Sequence, residues 1–267
     1  NDEHRVYGIS RGASQFKNDN YFHIQGDLNS DVFLKQLPKN GDVIYHLAQS
    51  ENFRDFPNLA LDVFNVNLRS TALLLDYGVK SKISKFIYAS SGGVYGTDEL
   101  SFSENASVST GKHLNYYLSS KLASEILVEP YANNFDVFIA RMFFIYGERQ
   151  NKTMLIPRLI DNIKEGKEIS LQGEDGLVIN PIYVFDAANA IYKMLFLDGS
   201  HKFNIAGNET LSLKQIGIKI GEFTGCKPKF KSQKSVPMNL IGDNSKMKKL
   251  LAAPNFSFSE GLNFFSS

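Results

Sequence analysis

Short apolar runs separated by longer helical patterns most limit the folds open to this chain. "RVYGIS" (5–10), "DVIYHLA" (42–48), "KFIYASS" (85–91) and "DVFIARM" (136–142) are rich in Val, Ile, Phe and Tyr and read as buried strands. Between them, "LALDVFNVNLRSTALLLDYGV" (59–79) and "LNYYLSSKLASEILVEPYANN" (114–134) space their apolar residues at helical intervals. Strand, helix and strand in succession imply crossover connections and a parallel sheet covered on both faces. The expected class is α/β, with a doubly wound parallel sheet in a first domain over residues 1–150. Beyond about residue 150 the rhythm loosens. A helix (153–166), a short strand "EISLQG", strand-like "NPIYVF", a helix "DAANAIYKMLFL", "KFNIAG" and a helix near 212–224 follow. Residues 151–267 are expected to form a smaller mixed α/β lobe, some of whose elements return to the first domain, with a ligand cleft between lobes.

Composition narrows the function. With 43% hydrophobic and 21% charged residues the chain can bury a sizeable core. A formal charge of +1 without long runs of one sign gives no electrostatic footprint for nucleic acid or a membrane surface. Cys226 is the lone cysteine, which excludes an internal disulfide and suits a reducing cytosol. No stretch approaches the roughly 18–20 apolar residues of a membrane span, and "NDEHRVYGIS" lacks the basic start and apolar core of a signal peptide. His4, His23, His46, His113 and His201 show no ligand spacing, so no metal is expected.

Two motifs carry chemistry. In "YASSGGVYG", Ser91 ends a strand and Gly92–Gly93 turn the chain at once. Open parallel sheets bind ligands outside the carboxyl ends of their strands, so a hydroxyl there faces the crevice. A polar strand terminus with a glycine turn reads the same way. Tyr117-x-x-x-Lys121 then places a phenol and an ammonium one turn apart on one helix face. A free phenol, with a pKa of about 10, is a poor base at neutral pH. A neighbouring cation favours phenolate and matches it to general acid–base work. A solvent-facing lysine beside a half-buried tyrosine gives the same spacing, and with 12 tyrosines one such match is expected by chance.

Order and spacing along the chain add what neither motif holds alone. The serine ending a strand, "VYG" (94–96), Tyr117-x-x-x-Lys121 and "ARMFFIYGERQ" (140–150) resemble the extended short-chain dehydrogenase/reductases, and among them the NAD-dependent nucleotide-sugar epimerase/dehydratase group. "HRVYGISR" (4–11), "GDLNS" (26–30), "VIYHLAQS" (43–50), "NVNLRSTALLL" (65–75), "NPIYVFDAANAI" (180–191), "DNSKMKKLL" (243–251) and "FSEGL" (258–262) are similar to family segments in the same order. The resemblance implies a Rossmann-type fold and a Ser91/Tyr117/Lys121 catalytic set. Tyr117 takes a proton from a sugar hydroxyl during hydride transfer to nicotinamide, Lys121 keeps it ionised and holds the nicotinamide ribose, and Ser91 orients the reacting oxygen. It also implies cofactor contacts from Ser10, Arg11, Asp27, Leu28, Leu47, Ala48, Gln49 and Asn67, beside Tyr117 and Lys121. Substrate contacts would come from Ser91, Gly92, Gly93, Phe144, Arg149 and Arg158. A homodimer through a four-helix contact is the family's common assembly, and the apolar faces of 59–79 and 114–134 suit it.

The chain departs from the family pattern at several points. No G-x-x-G-x-x-G or G-x-G-x-x-G lies near its start. The sequence opens where the second strand is expected, so a first strand–turn–helix unit of roughly 25–30 residues is expected upstream. Gly92 and Gly93 stand where family dehydratases carry an acidic pair, which disfavours dehydration. Phe144 replaces an asparagine that helps hold the sugar diphosphate, and Ile179 replaces an arginine; Arg149, Arg158 or Lys152 are the available substitutes. Ser10–Arg11 replaces the usual acid at the second strand's end, and a guanidinium suits a 2′-phosphate, so the cofactor leans to NADP over NAD. The expected function is epimerisation of a nucleotide-linked sugar in the cytoplasm. The alternatives are an NADP-dependent ketosugar reductase and a non-catalytic binding or scaffold relative.

Overall fold

A computed structural model describes residues 4–96, 101–108, 114–236 and 239–265; His113 falls outside them. By its contacts the chain forms two compact units, one of residues 1–88 with 115–137, the other of 89–114 with 138–267. This division by compactness is a separate matter from which residues bind cofactor and which bind substrate.

In the first unit β1 (Val6–Ser10) runs parallel to β2 (Tyr21–Gln25), Val6 opposite Tyr21. β2 carries little strand signal in the sequence, because "YFHIQ" holds one β-branched residue and sits behind the polar run "KNDN". β3 (Val43–His46) pairs in parallel with the start of β4 (Lys85–Ser91), Val43 opposite Lys85 and His46 opposite Tyr88. The helix expected over 59–79 is α1 (Ala60–Val63), a π turn (Phe64–Arg69) and α2 (Ser70–Ser81) in unbroken succession. The Ser70 N–H reaches back five residues to the Asn65 carbonyl, the mark of the wider turn. α3 (Tyr116–Val128) opens on Asn115, whose side chain accepts the Leu118 N–H at 2.9 Å. It passes into a 3-10 turn (Glu129–Asn133) at Pro130.

In the second unit β5 (Asp136–Met142) lies parallel to β10 (His201–Ile205) from Phe138 onward. β6 (Ile145–Tyr146) pairs with β9 (Ile182–Tyr183), and β7 (Glu168–Gln172) with β12 (Lys229–Gln233), both in parallel. β8 (Val178–Ile179) joins β11 (Leu211–Ser212) antiparallel and β13 (Asn239–Leu240) parallel. "NPIYVF" is thus only a two-residue strand, since Val184 and Phe185 already open α5 (Val184–Lys193). The core packs Ile156, Leu159 and Ile163 of α4 (Leu155–Lys164) and Ile216 and Ile220 of α6 (Leu213–Thr224) over Ile169 and Leu171. Each fully buried aliphatic side chain of this kind contributes about 1.5–3 kcal/mol. Among the described residues no helix is long and apolar enough to cross a membrane.

Candidate active site

α3 buries an unusual stripe. Ser120, Lys121, Ser124, Glu125 and Val128 follow the spacing of a core-facing helix side, yet four of the five are polar. Buried polar groups persist only when other groups compensate them. One turn before Lys121, the Tyr117 hydroxyl donates to Gln49 Oε1 at 2.9 Å, and the Phe53 ring packs on the phenol at a centroid distance of 4.9 Å. Gln49 lies three residues past the end of β3, after exposed Leu47 and Ala48. The first unit therefore brings together Tyr117, Lys121, Gln49 and Asn67 from the predicted set.

Asn67 is the clasp. It lies in the π turn, and its Oδ1 accepts the Ser50 N–H at 2.9 Å while its Nδ2 donates to Ser120 Oγ at 2.9 Å. The backbone donor at Ser50 fixes the orientation of the amide. The Asn67 carbonyl accepts from Thr71 Oγ1 at 2.6 Å and from Ser124 Oγ at 3.0 Å. Both polar atoms of the Asn67 side chain are thus engaged in joining the β3 loop to α3. Ser50 in turn donates to Asp62, which also accepts from Asn29 at 2.9 Å and Asn52 at 3.1 Å. Burial pushes the Asp62 carboxyl up, and these hydrogen bonds with the charge of Arg11 outweigh it, leaving the acid below its ordinary range.

Burial dominates the electrostatics beneath Tyr117. Lys121 is 2% exposed, and desolvation pushes its ammonium from 10.5 down to about 7, with Glu125 pulling the other way. His46 is buried and driven down to about 3 by desolvation and then by the Lys121 charge, so it is neutral. Its Nε2 lies 3.0 Å from Thr71 Oγ1 and 3.3 Å from Ser70 Oγ. Both hydroxyl protons already go to backbone carbonyls, Asn67 and Val66, which assigns the imidazole hydrogen to Nε2. Burial also raises the phenol of Tyr88, so that group stays neutral.

The predicted substrate residues lie in the second unit. Ser91 Oγ accepts the Gly93 N–H at 3.2 Å and caps the 3-10 turn Gly92–Tyr95, which leaves its own proton to donate. A Cβ on Gly92 would fall 2.6 Å from the Phe143 ring, so this buried position admits no acid. Phe144 holds a left-handed φ of 45° and Arg149 one of 63°. Such backbone is costly for a bulky side chain and collects at functional sites. Arg149 and Arg158 are exposed, and Lys152 pairs with Asp161 at 3.7 Å. Ser91 belongs to a different unit from Tyr117 and Lys121.

Ser10 ends β1 and donates to the Gly12 carbonyl at 2.9 Å; Asp27, exposed beyond β2, accepts the Asn29 N–H at 2.9 Å with Leu28 half-buried beside it. Arg11 forms a 2.8 Å ion pair with Glu51. Ser10 and Arg11 at the carboxyl end of β1, Asp27 beyond β2 and Gln49 beyond β3 are polar groups of the kind that could hold the adenosine and nicotinamide ends of a dinucleotide. Phe53, Ser50, Asp62, Ser120, Thr71 and Ser124 were not among the predicted residues. The last three are hydroxyls on helix faces whose burial only the packed structure shows. A depression of about 590 Å³ between α6 and β12, lined by Ile218, Cys226, Pro228 and Phe230, includes none of the candidate residues.

The model of the NAD dependent epimerase/dehydratase family matches residues 1–206. An uncharacterized UDP-glucose epimerase, YtcB, of Bacillus subtilis (strain 168) is 30% identical over 239 residues, 86% of this chain and 74% of that protein. The dTDP-D-glucose 4,6-dehydratase of Homo sapiens is 29% identical over 207 residues, 75% of this chain and 58% of its own length. A UDP-glucuronic acid 4-epimerase from Bacillus cereus, solved with UDP-glucuronic acid and NAD, superposes with a TM-score of 0.82 at 26% identity, over 98% of this chain and 90% of its own. The sheets are those of a Rossmann-type α/β fold.

Proposed function

Since this chain belongs to the NAD-dependent epimerase/dehydratase family, an enzyme family of the extended short-chain dehydrogenase/reductase type, we propose that it epimerises a nucleotide-linked sugar. The observation that carries the reading is the Tyr117 phenol, 2.9 Å from Gln49 beyond the end of β3, with the Lys121 ammonium buried one turn further on. Tyr117 exchanges a proton with a sugar hydroxyl. Lys121 supplies the positive charge that favours phenolate in a desolvated setting, where that attraction is strongest. Ser91, with its proton free to donate while Gly93 holds its oxygen, orients the sugar oxygen. Phe53 and Asn67 fix the phenol and the loop beside it. A bound nicotinamide dinucleotide would supply reversible hydride exchange at the sugar carbon. Residues 1–150 would hold that cofactor and 151–267, with Phe144, Arg149 and Arg158, the nucleotide sugar. The absence of room for an acid at Gly92 supports epimerisation over dehydration.

The sequence alone leans to NADP. The Arg11–Glu51 pair, together with NAD in the related B. cereus structure, favours NAD, because the guanidinium is already engaged by a carboxylate. Leu61, Phe64, Ile126 and Leu127 stand exposed on the α1–π turn and α3, apolar surface that a second copy would cover. This surface supports reading the protein as a homodimer, and a strictly monomeric mass by light scattering would count against it.

The decisive experiment measures conversion of UDP-glucose and UDP-glucuronic acid with NAD by proton NMR. Tyr117→Phe is expected to keep circular dichroism and NAD affinity while turnover falls on the order of 10²–10⁴-fold. Unchanged turnover in that variant would remove the mechanism.

A further inference from the structure

The mechanism needs a charged amine at Lys121, and the first unit buries that amine almost completely. A bare ammonium in such a place sheds its proton. Two groups oppose this. The Lys121 Nζ lies 5.2 Å from the centre of the Tyr88 ring, which is itself 0% exposed, so a π face meets the cation out of water. Glu125, 1% exposed, sits four residues further along α3 on the same buried side, and its charge favours the ammonium.

We propose that Tyr88 and Glu125 are positioning residues that form a buried cage for Lys121, holding it as an ammonium inside the core. The inference rests on the reading of Lys121 given above, and concerns how its charge survives there. Among the described residues, these titratable groups lie in the elements around it. From β3 His46 is neutral and adds no repulsion; from β4 Tyr88 is neutral; from α3 come Tyr117 and Glu125. The π turn and α2 present Asn67, Ser70 and Thr71, none of which titrates. Burial therefore opposes the charge on Lys121, and the Glu125 carboxylate and the Tyr88 face favour it. The cage places the loss of that charge near neutrality, where a small change in either member moves it across the working range.

The test follows the ¹³Cε resonance of Lys121 with pH in the full chain, assigned by its loss in Lys121→Arg. The wild-type transition is expected close to pH 7. Glu125→Gln and Tyr88→Leu should each move it to lower pH by on the order of one pH unit, whereas Tyr88→Phe, which keeps the ring, should leave it in place. A wild-type Lys121 already neutral at pH 6 would overturn the proposal without any variant. So would a Glu125→Gln transition that coincides with wild type, or a Tyr88→Phe shift as large as that of Tyr88→Leu. Should Tyr88→Leu fail to fold, Glu125→Gln decides alone. The readout needs no cofactor, so a normal titration beside an unaffected Tyr117→Phe turnover would sink the proposed function and spare the cage.

Discussion

Two regions of the first unit invert the usual rule of burial. In the β1–β2 pair the apolar side chains stand outside: Val6 is 50% exposed, and Tyr7 and Phe22, stacked at 5.1 Å, are 39% and 42% exposed. Beneath α3 the polar ones are inside, with His46, Asn67, Ser70, Thr71, Ser120, Lys121, Ser124 and Glu125 all buried. Both regions are built on parallel strands, and in both burial runs against residue character. Residue character therefore does not set burial here; what covers each face does. The α3 region holds its polar groups at an energetic cost, and the chain of bonds through Asn67 offsets it.

The sharpest test of that contrast pairs two phenylalanines. Phe86 in β4 is 0% exposed, and Phe86→Ala is expected to cost about 3–5 kcal/mol. Phe22→Ala, which removes a half-solvated ring from β2, should cost less than about 1 kcal/mol. Urea midpoints at constant slope measure both. Equal losses would mean that the β1–β2 pair is as firmly packed as the strands under α3, and the comparison would collapse.

Lys121→Met probes the cost of the polar interior from the other side. In the unfolded chain this lysine keeps its proton to about 10.5, in the folded one only to about 7. Below pH 7 both states carry the proton, and folding bears the full cost of burying a charge. Between pH 7 and 10.5 the unfolded chain binds more protons, so wild-type stability rises with pH and the cost fades. Lys121→Met combined with Glu125→Gln, which leaves no buried carboxylate unpaired, should thus be the more stable protein by a few kcal/mol at pH 6, with the gap closing toward pH 10, while losing turnover. A gap that is constant across this range would show that the charge is not what burial penalises.

These contrasts also mark how much the sequence alone conveys. β4 and β5 were legible to the residue, because the unbroken apolar cores FIYA and VFIA, each opened by a charged residue, leave few alternatives. β2 was not, and α5 begins two residues earlier than its pattern suggests, since Val184 and Phe185 suit strand and helix alike. At the site, Tyr117 and Lys121 could be singled out by chemistry. Ser120 and Ser124 could not, because a serine on a helix reveals its burial only when the neighbouring helix is known. The π turn was invisible for a related reason: a one-residue shift of register does not stand out in so short a pattern, and only the packed structure shows the Asn67 carbonyl accepting from Thr71 and Ser124.

The smallest expected effect tests the exposed region in functional terms. Arg11 and Glu51 pair across the ends of β1 and β3 with side chains 57% and 74% exposed, so solvent screens the pair and Glu51→Gln should alter stability by less than about 1 kcal/mol. Its consequence for recognition is larger than its consequence for folding. Removing the carboxylate frees a guanidinium that matches a 2′-phosphate and removes a negative charge that repels one. Glu51→Gln should therefore raise affinity for NADP relative to NAD by roughly tenfold in calorimetric titration, about 1.4 kcal/mol of discrimination. If the ratio does not move, Arg11 lies outside the adenosine site, and β1 contributes to cofactor choice by some route other than its charged end.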